Sequence, residues 1–311
     1  MASSSRGSLA SSSCCSSRRG LKLKQRQGVP IEDANSGKTT TITIETEETP
    51  PSRYTLQTVL GHGQYGQVYL ADGKLAVKQM QRRARVDVEQ EAQTEVAMMK
   101  KLNHRNIAKC IALIHANDHL FYIVMEYCNG GTLEHARQKF PGGKVPAVTL
   151  RNWARQLVCG LSYLHVSARM AHRDIKPENM MLKCDVLRGC SGERIYETVK
   201  FVDFGTASEY VSGEAKIGDA KGTAAFWPPE IAEDDHEVFP VDIWALGVSL
   251  YQLAYGKFPW PMDGVNVYTI ADNVTDALEA GFAFEGGPGS PAALVRRRRA
   301  RFTTSLCNHR C

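Results

Sequence analysis

Eight consecutive residues, His172-Arg173-Asp174-Ile175-Lys176-Pro177-Glu178-Asn179, place a carboxylate, an ammonium and a carboxamide at fixed offsets, and Asp203-Phe204-Gly205 follows downstream. Neither a helix nor a strand needs this set of polar functions. If these groups act together, two separate loops have to face one cleft. Asp174 is suited to accept a proton from a hydroxyl and to aim it. Lys176 can offset negative charge, and Asn179 and Asp203 offer the hard oxygens that Mg2+ takes. Gly205 frees the backbone for the turn that follows.

Two upstream features complete the set. Gly61-His62-Gly63-Gln64-Tyr65-Gly66, followed by Val68, lies between two strand-like runs, where glycines let the backbone approach phosphates and present N–H donors. A strand rather than a helix follows, which disfavours a dinucleotide-binding turn. Ala76-Val77-Lys78 then puts a lysine inside an apolar strand, a costly place unless its ammonium meets negative partners. Phosphate oxygens and a helix carboxylate would serve; Glu95 is the preferred carboxylate, with Glu91 one turn away as the alternative. These are the parts that phosphoryl transfer from ATP requires, because that reaction asks for positioning and for positive charge around a spreading negative one.

The texture of the chain divides it. Residues 1–52 read as a disordered tail of Ser clusters, scattered Arg and a Thr/Glu-rich stretch. Three readings compete for the first thirty residues: plain disorder, a Ser/Arg-rich transit peptide, and palmitoylation at Cys14 and Cys15. From Tyr54 come β-like runs at Tyr54–Leu60, Gln67–Ala71, Lys74–Met80, Ile107–His115 and Leu120–Tyr127. Asp72–Gly73 between the second and third is a two-residue hairpin signal. Val88, Ala92, Val96 and Met99 fall on one helical face. Beyond Asn129 helices take over. Thr149 is the expected N-cap of a helix burying Leu150, Trp153, Leu157, Leu161 and Leu164, and Val241–Tyr255 is apolar all round, as a central buried helix would be.

Charge matters here because its average misleads. Residues 1–31 and 295–311 each hold six Lys/Arg and no acid, so the span between them holds 26 basic against 33 acidic residues, a net of −7. A nucleic-acid-binding core does not fit that balance. No run of eighteen apolar residues is present, so no transmembrane segment is expected. Nine cysteines without a C-x-x-C pair, and no secretory leader, point to reduced thiols and a cytoplasmic setting.

Taken together, the motifs resemble the eukaryotic protein kinase family, Ser/Thr type, over roughly Arg53–Trp260. The resemblance implies an α+β, two-lobed fold: an N-lobe (residues 53–127) with a small antiparallel sheet and one helix, then a mainly helical C-lobe (128–280). It implies ATP and Mg2+ as cofactors and a protein substrate with a Ser or Thr acceptor. Lys78 would hold the α- and β-phosphates and pair with Glu95, Asp174 would be the catalytic base, and Asn179 and Asp203 would hold Mg2+. Gly61, Gly63 and Gly66 would belong to the loop over the phosphates, and Leu60 just before it would join the nucleotide site. Ile123-Val124-Met125-Glu126-Tyr127-Cys128 looks like the strand and hinge that meet adenine, through the Glu126 carbonyl and the Cys128 amide, with Met125 behind them. Val68, Ala76 and Met181 would sandwich the ring. Gly222-Thr223-Ala224-Ala225-Phe226-Trp227-Pro228-Pro229-Glu230 matches the substrate-docking loop, with Thr223 bonding Asp174 and Lys176. Asp242 looks structural. Lys176 is the Ser/Thr form, and the Ala-Phe-x-Pro-Pro-Glu-Ile-Ala ending is similar to calmodulin-dependent kinase kinases and liver-kinase-B types. Glu178 without a second acid at Gln252 implies weak preference for Arg-containing substrates.

Three departures from the family pattern stand out. Asp219 occupies the usual phosphosite position and is expected to pair with Arg173 in place of a phosphate; Ser208, Tyr210 and Ser212 are other phosphosite candidates. Met181–Val199 carries extra residues, including Cys184 and Cys190, read as a surface insertion. After about Ala280 the final helices of the family have no counterpart; residues 281–311 form an irregular basic tail in which one of Arg296–Arg301 would have to pair with Glu230. A kinase-like nucleotide-binding scaffold with little activity is therefore the alternative to an active enzyme.

Overall fold

The computed structural model describes residues 42–45, 53–63, 66–81, 88–117, 120–189, 192–210, 216–217, 221–229, 236–260, 262 and 274. Its first half is a sheet. Strands β1 (Ile42–Glu45), β2 (Arg53–Gly63), β3 (Gly66–Ala71) and β4 (Leu75–Gln81) precede helix α1 (Val88–Lys100), and β5 (Cys110–Asn117) and β6 (Leu120–Glu126) follow it. The strands lie in the order β1-β2-β3-β4-β6-β5, with every pairing antiparallel. The expected five strands are all present. The sixth, β1, lies inside the span read as a disordered tail, pairing Ile42 with Leu56 and Glu45 with Arg53.

Asp72 and Gly73 both adopt positive φ, 50° and 66°, as the tight turn of a two-residue hairpin demands. The Thr55 N–H donates to Asp72 Oδ1 at 3.2 Å and fixes that turn against β2. The two faces of the sheet bury different clusters. Tyr54, Leu56, Tyr69, Val77, Ile114, Tyr122 and Val124 pack on one face. Met80, Phe121 and Ile123 on the other join Ala92, Val96 and Met99 of α1, which is the helical face expected from the spacing.

The second half opens with short α2 (Leu133–Gln138), whose N-cap Thr132 accepts the His135 N–H at 3.1 Å. Helix α3 (Ala147–Ser162) follows, then strands β7 (Met170–Ala171), β8 (Met180–Gly189), β9 (Gly192–Phe201), β10 (Ser208–Glu209), β11 (Lys216–Ile217) and β12 (His236–Glu237), and helix α4 (Val238–Tyr255). Leu150, Trp153, Leu157, Leu161 and Leu164 are buried as anticipated. The helix start differs from expectation. Pro146, not Thr149, is the N-cap, and its carbonyl accepts the Leu150 N–H at 2.9 Å. Pro146 combines the φ fixed by its ring, −57°, with an extended ψ of 142°; helical backbone begins directly after it, and Thr149 is already inside.

The extra residues between Met181 and Val199, read as a surface insertion, lengthen one regular hairpin. They form a ten-pair ladder from Met180↔Phe201 to Gly189↔Gly192. Its base is core, with Met180, Leu182, Val199 and Phe201 buried, while Val186, Leu187 and Ile195 nearer the tip are exposed. Trp153 Nε1 donates to Glu197 at 3.1 Å and ties the ribbon to α3. Cys184 is a free thiol; Cys190 lies outside the described residues.

Helix α4 is long and apolar enough to span a membrane by composition alone, but it is mostly buried inside the protein. It packs on α2, α3 and β7. Two polar side chains on it are fully buried. Ser249 donates to the Ala245 carbonyl at 2.8 Å. Asp242 accepts the backbone N–H groups of His172 and Arg173, both at 2.8 Å, and lies 2.9 Å from His165 Nε2. Asp242→Ala would strand two buried N–H groups, each worth ~1–3 kcal/mol when left unpaired. Urea unfolding is therefore expected to show a loss of about 3 kcal/mol or more, with Asp242→Asn losing less because it keeps one oxygen. Equal stability of both variants and the parent would show that Asp242 does not anchor the 172–173 backbone.

Candidate active site

Lys78 sits on β4, between Val68 of β3 and Ile123 of β6 in the ladders. Its ammonium donates to both oxygens of Glu95, at 3.0 and 2.9 Å, and to Asp203 Oδ1 at 3.1 Å. Glu95, on α1, is only 2% exposed. A carboxylate that far from water is tolerated only with a cation and hydrogen bonds beside it, and Lys78 provides both. Burial alone would lower the Lys78 ammonium, but Glu95 and then Asp203 outweigh it and hold it above its ordinary value. Burial acts to raise the Asp203 carboxyl, and Lys78 holds it below its ordinary value despite that. Of the two carboxylates weighed from the sequence, the structure pairs Glu95; the side chain of Glu91 lies outside the described residues.

Residues of the 172–179 loop form a second group. Asp174 accepts hydrogen bonds from Asn179 Nδ2 and Thr223 Oγ1, both at 2.7 Å, and pairs with Lys176 Nζ at 2.8 Å. Lys176 also donates to Thr223 Oγ1 at 2.6 Å, closing a triangle of three side chains. Asn179 Nδ2 reaches the Asp174 carbonyl as well, at 2.9 Å, so its nitrogen is committed to the loop and its oxygen turns the other way. The charge on Lys176 also acts, more weakly than Lys78, to lower the Asp203 carboxyl.

Local backbone strain holds this arrangement. Arg173 and Asp203 have φ of 68° and 61°, a region that non-glycine residues enter only where the surroundings over-determine it. The Arg173 N–H is held by Asp242. Asp203 stands next to Phe204, which is 1% exposed and packs 4.8 Å from the His172 ring. His172 Nε2 lies 3.0 Å from the Val202 carbonyl, and Thr206 Oγ1 donates to the His172 carbonyl at 3.0 Å. The two loops are thereby stitched together on both sides of Asp203. Arg173 donates to Ser208 Oγ at 3.0 Å; its expected partner Asp219 lies outside the described residues, as do Ser212, Glu230 and Arg296–Arg301.

Two glycines have a clear steric reason. A Cβ on Gly222, at φ 98°, would lie 2.1 Å from the Arg173 carbonyl. The segment carrying Thr223 therefore returns directly onto the 172–179 loop. A Cβ on Gly66 would lie 2.4 Å from the Gln79 carbonyl, so this glycine serves the β3–β4 approach, where the sequence reading gave it only to phosphates. Gly61 has open space around it. Gly63 closes β2 opposite Gly66, and Gln64 and Tyr65 lie outside the described residues.

Beside the Lys78 cluster, Ala76 faces Met125 across the β4–β6 ladder, and Leu60 and Val68 stand on β2 and β3 before and after the glycines. Met181 of β8 bridges to Thr132, and Leu182 exchanges backbone hydrogen bonds of 2.8 Å with Gly130 and Gly131, so β8 closes the far side beneath the 126–131 segment. Cys128 is 3% exposed; burial, with Glu126 adding to it, pushes its thiol up to about 12, so it stays protonated and offers its amide rather than a thiolate. The sequence reading missed the side chain of Glu126. It is bound by Lys183 at 2.5 Å and by Lys200 at 3.0 Å. The missed signal was Lys200 itself, an ionic residue between Val199 and Phe201, to which the argument made for Lys78 applies equally.

A family profile described as the protein kinase domain matches residues 54–285. The chain is 30% identical to rat serine/threonine-protein kinase STK11 over 235 residues, covering 71% of this chain and 50% of the relative. It is 33% identical to the stk11 homolog of Dictyostelium discoideum over 238 residues, covering 71% and 38%. It is 33% identical to mitogen-activated protein kinase kinase kinase 2 of Arabidopsis thaliana over 227 residues, covering 68% and 32%. The chain thus spans about half or less of the length of these relatives.

Two outcomes follow from the geometry. Gly222→Ala must displace the segment carrying Thr223 or the Arg173 backbone, and a misplacement near 1 Å costs about 100-fold in turnover; a phosphotransfer assay with normal activity in this variant would contradict the steric reading. The Asp203 carboxyl is depressed, so its attraction to Lys78 stabilises above its ordinary value of 3.8 and is lost as pH falls through the folded-state value. The melting-temperature advantage of the parent over Asp203→Asn should therefore be flat from about pH 5 to 8 and narrow below about pH 4. A gap that widens in acid would reverse the sign argued here.

Proposed function

The chain belongs to the protein kinase family, and we propose that it transfers the γ-phosphoryl group of ATP to serine or threonine hydroxyls of protein substrates. The observation that carries this reading is the Lys78 ammonium, which joins β4, α1 and the Asp203 loop in a single set of hydrogen bonds of 2.9–3.1 Å. In that position it is charged, fixed and directed at the cleft, as an anion-binding group must be.

Each residue then has a task. Lys78 bears on the α- and β-phosphates. Asp174, held by Thr223, Asn179 and Lys176, aims the acceptor hydroxyl at the γ-phosphorus. The new O–P bond forms as the bond to the β–γ bridging oxygen breaks, the hydroxyl proton passes to the Asp174 carboxylate, and ADP leaves. Lys176 offsets the charge on the moving phosphoryl oxygens. Met125, Glu126 and Cys128 form the adenine end, with Val68, Ala76 and Met181 above and below the ring.

A carboxylate and a carboxamide oxygen at Asp203 and Asn179 are hard donors that fit Mg2+. These two residues would hold it, and the ion would supply charge neutralisation between the phosphates. Lys176 bonded to Thr223 favours a Ser/Thr acceptor, and the Ser/Thr kinases among the relatives support the same reading. Glu178 adds a weak preference for substrates with a nearby arginine.

Incubation of the purified chain with MgATP and a mixed Ser/Thr protein substrate is expected to yield phosphoserine and phosphothreonine. Lys78→Met and Asp174→Ala should each cut turnover by roughly 100-fold or more, and EDTA should abolish it. ATP-dependent thermal stabilisation without any turnover in the parent would overturn the enzymatic reading in favour of a nucleotide-binding scaffold.

A further inference from the structure

Lys200 is buried on β9, 7% exposed, three positions before Asp203. Its ammonium donates to the Arg105 carbonyl at 2.8 Å, approaches the Ile107 carbonyl at 3.5 Å and pairs with Glu126 Oε2 at 3.0 Å. Lys183 from β8 takes Glu126 Oε1, the Lys109 N–H reaches Oε2 at 3.3 Å, and the Glu126 N–H donates to the Lys109 carbonyl at 2.9 Å. Burial acts to raise the Glu126 carboxyl, but the two lysine hydrogen bonds hold it below its ordinary value. Apolar residues of similar shape often serve stability as well as a buried ion pair does, so a directional ionic latch at this point asks for another explanation.

Its location supplies one. β6 ends at Glu126, where the backbone leaves the sheet and becomes the adenine end of the cleft. β9 ends at Phe201, whose N–H and carbonyl bond Asn106 and Ala108, and Val202 bonds the Asn179 carbonyl. Lys200 therefore connects the backbone at the adenine end to the strand that delivers Asp203 to the phosphate end.

We propose that Lys200 is a positioning residue for the nucleotide: through its ion pair with Glu126 it sets the hinge backbone at a fixed distance from Asp203, so that base and phosphates are met together. This rests on the nucleotide-binding reading above. The pair acts on binding, and the phosphoryl-transfer step itself is left to Asp174 and Lys176.

A double-mutant cycle on the full chain tests it, with Lys200→Met, Glu126→Gln and the combination, reading MgATP dissociation constant, KM, kcat and melting temperature. Losing one partner of a buried charged hydrogen bond is expected to raise both Kd and KM for MgATP roughly tenfold while kcat at saturating ATP changes about twofold or less. The double variant should lose no more than the worse single one, since both remove the same link. Should Lys200→Met fail to fold, Glu126→Gln keeps the side-chain shape and reads the same pair. A fallen melting temperature with unchanged Kd and KM would make the latch purely structural and overturn the proposal. A parent that binds MgATP without turnover would end the enzymatic reading, yet the Kd ratios would still decide this one.

Discussion

A carboxylate with almost no contact with water can exist only if a cation is delivered to it, and in this chain Lys78 must be delivered to Glu95. That requirement places α1 against the sheet, because Glu95 lies on the same helix as the buried Ala92, Val96 and Met99. It also draws in the Asp203 loop, whose carboxylate shares the same ammonium. One ion-pair cluster thereby joins three segments that sequence separates widely. Removing the lysine would leave a buried charge uncompensated, which costs more than the pair itself contributes.

The lower half of the cleft is organised from beneath by a different acid. Asp242 lies buried on α4 and works through the backbone amides of His172 and Arg173. Those amides hold Arg173 in a left-handed conformation, which turns Asp174 up into the cleft. Gly222 then admits the returning segment so closely that no side chain fits between. Strain at Arg173 and Asp203 is thus carried by groups packed around the two loops.

Much of this was legible in the sequence, for a physical reason. Lys78, Asp174, Asn179, Asp203 and Thr223 are residue types whose charge or polarity is costly unless used, so their spacing announces a cleft. The Asp72–Gly73 turn and the buried faces of α1 and α3 were readable because backbone geometry and periodicity demand particular residues. The misses have equally definite causes. Strand β1 exists because the edge of β2 accepts it, and a polar, Thr-rich segment carries no sign of a partner elsewhere. Thr149 looked like a cap, but Pro146 dictates the helix start three residues earlier in the chain. The extra residues of the β8–β9 ribbon sit at an exposed tip, in keeping with a surface insertion, but their unbroken register could not be read from a span with no counterpart in the family pattern. The Glu126–Lys200 pair escaped notice because Glu126 was valued only for its backbone.

The two faces of the N-terminal sheet belong to different bodies. The α1 face shares a continuous apolar cluster with α3, Phe201, Phe204 and α4, while the opposite face gathers only strand residues such as Tyr54, Leu56, Tyr69 and Val124. Cooperative units follow packing continuity rather than lobe boundaries. The outer layer, from β1 inward to β3, can therefore fray without disturbing the helices, whereas opening at Met80 or Ile123 must dissolve the whole interior. Amide protons along this one sheet should thus exchange on two separate clocks, a fast one at its rim and a slow one set by complete unfolding.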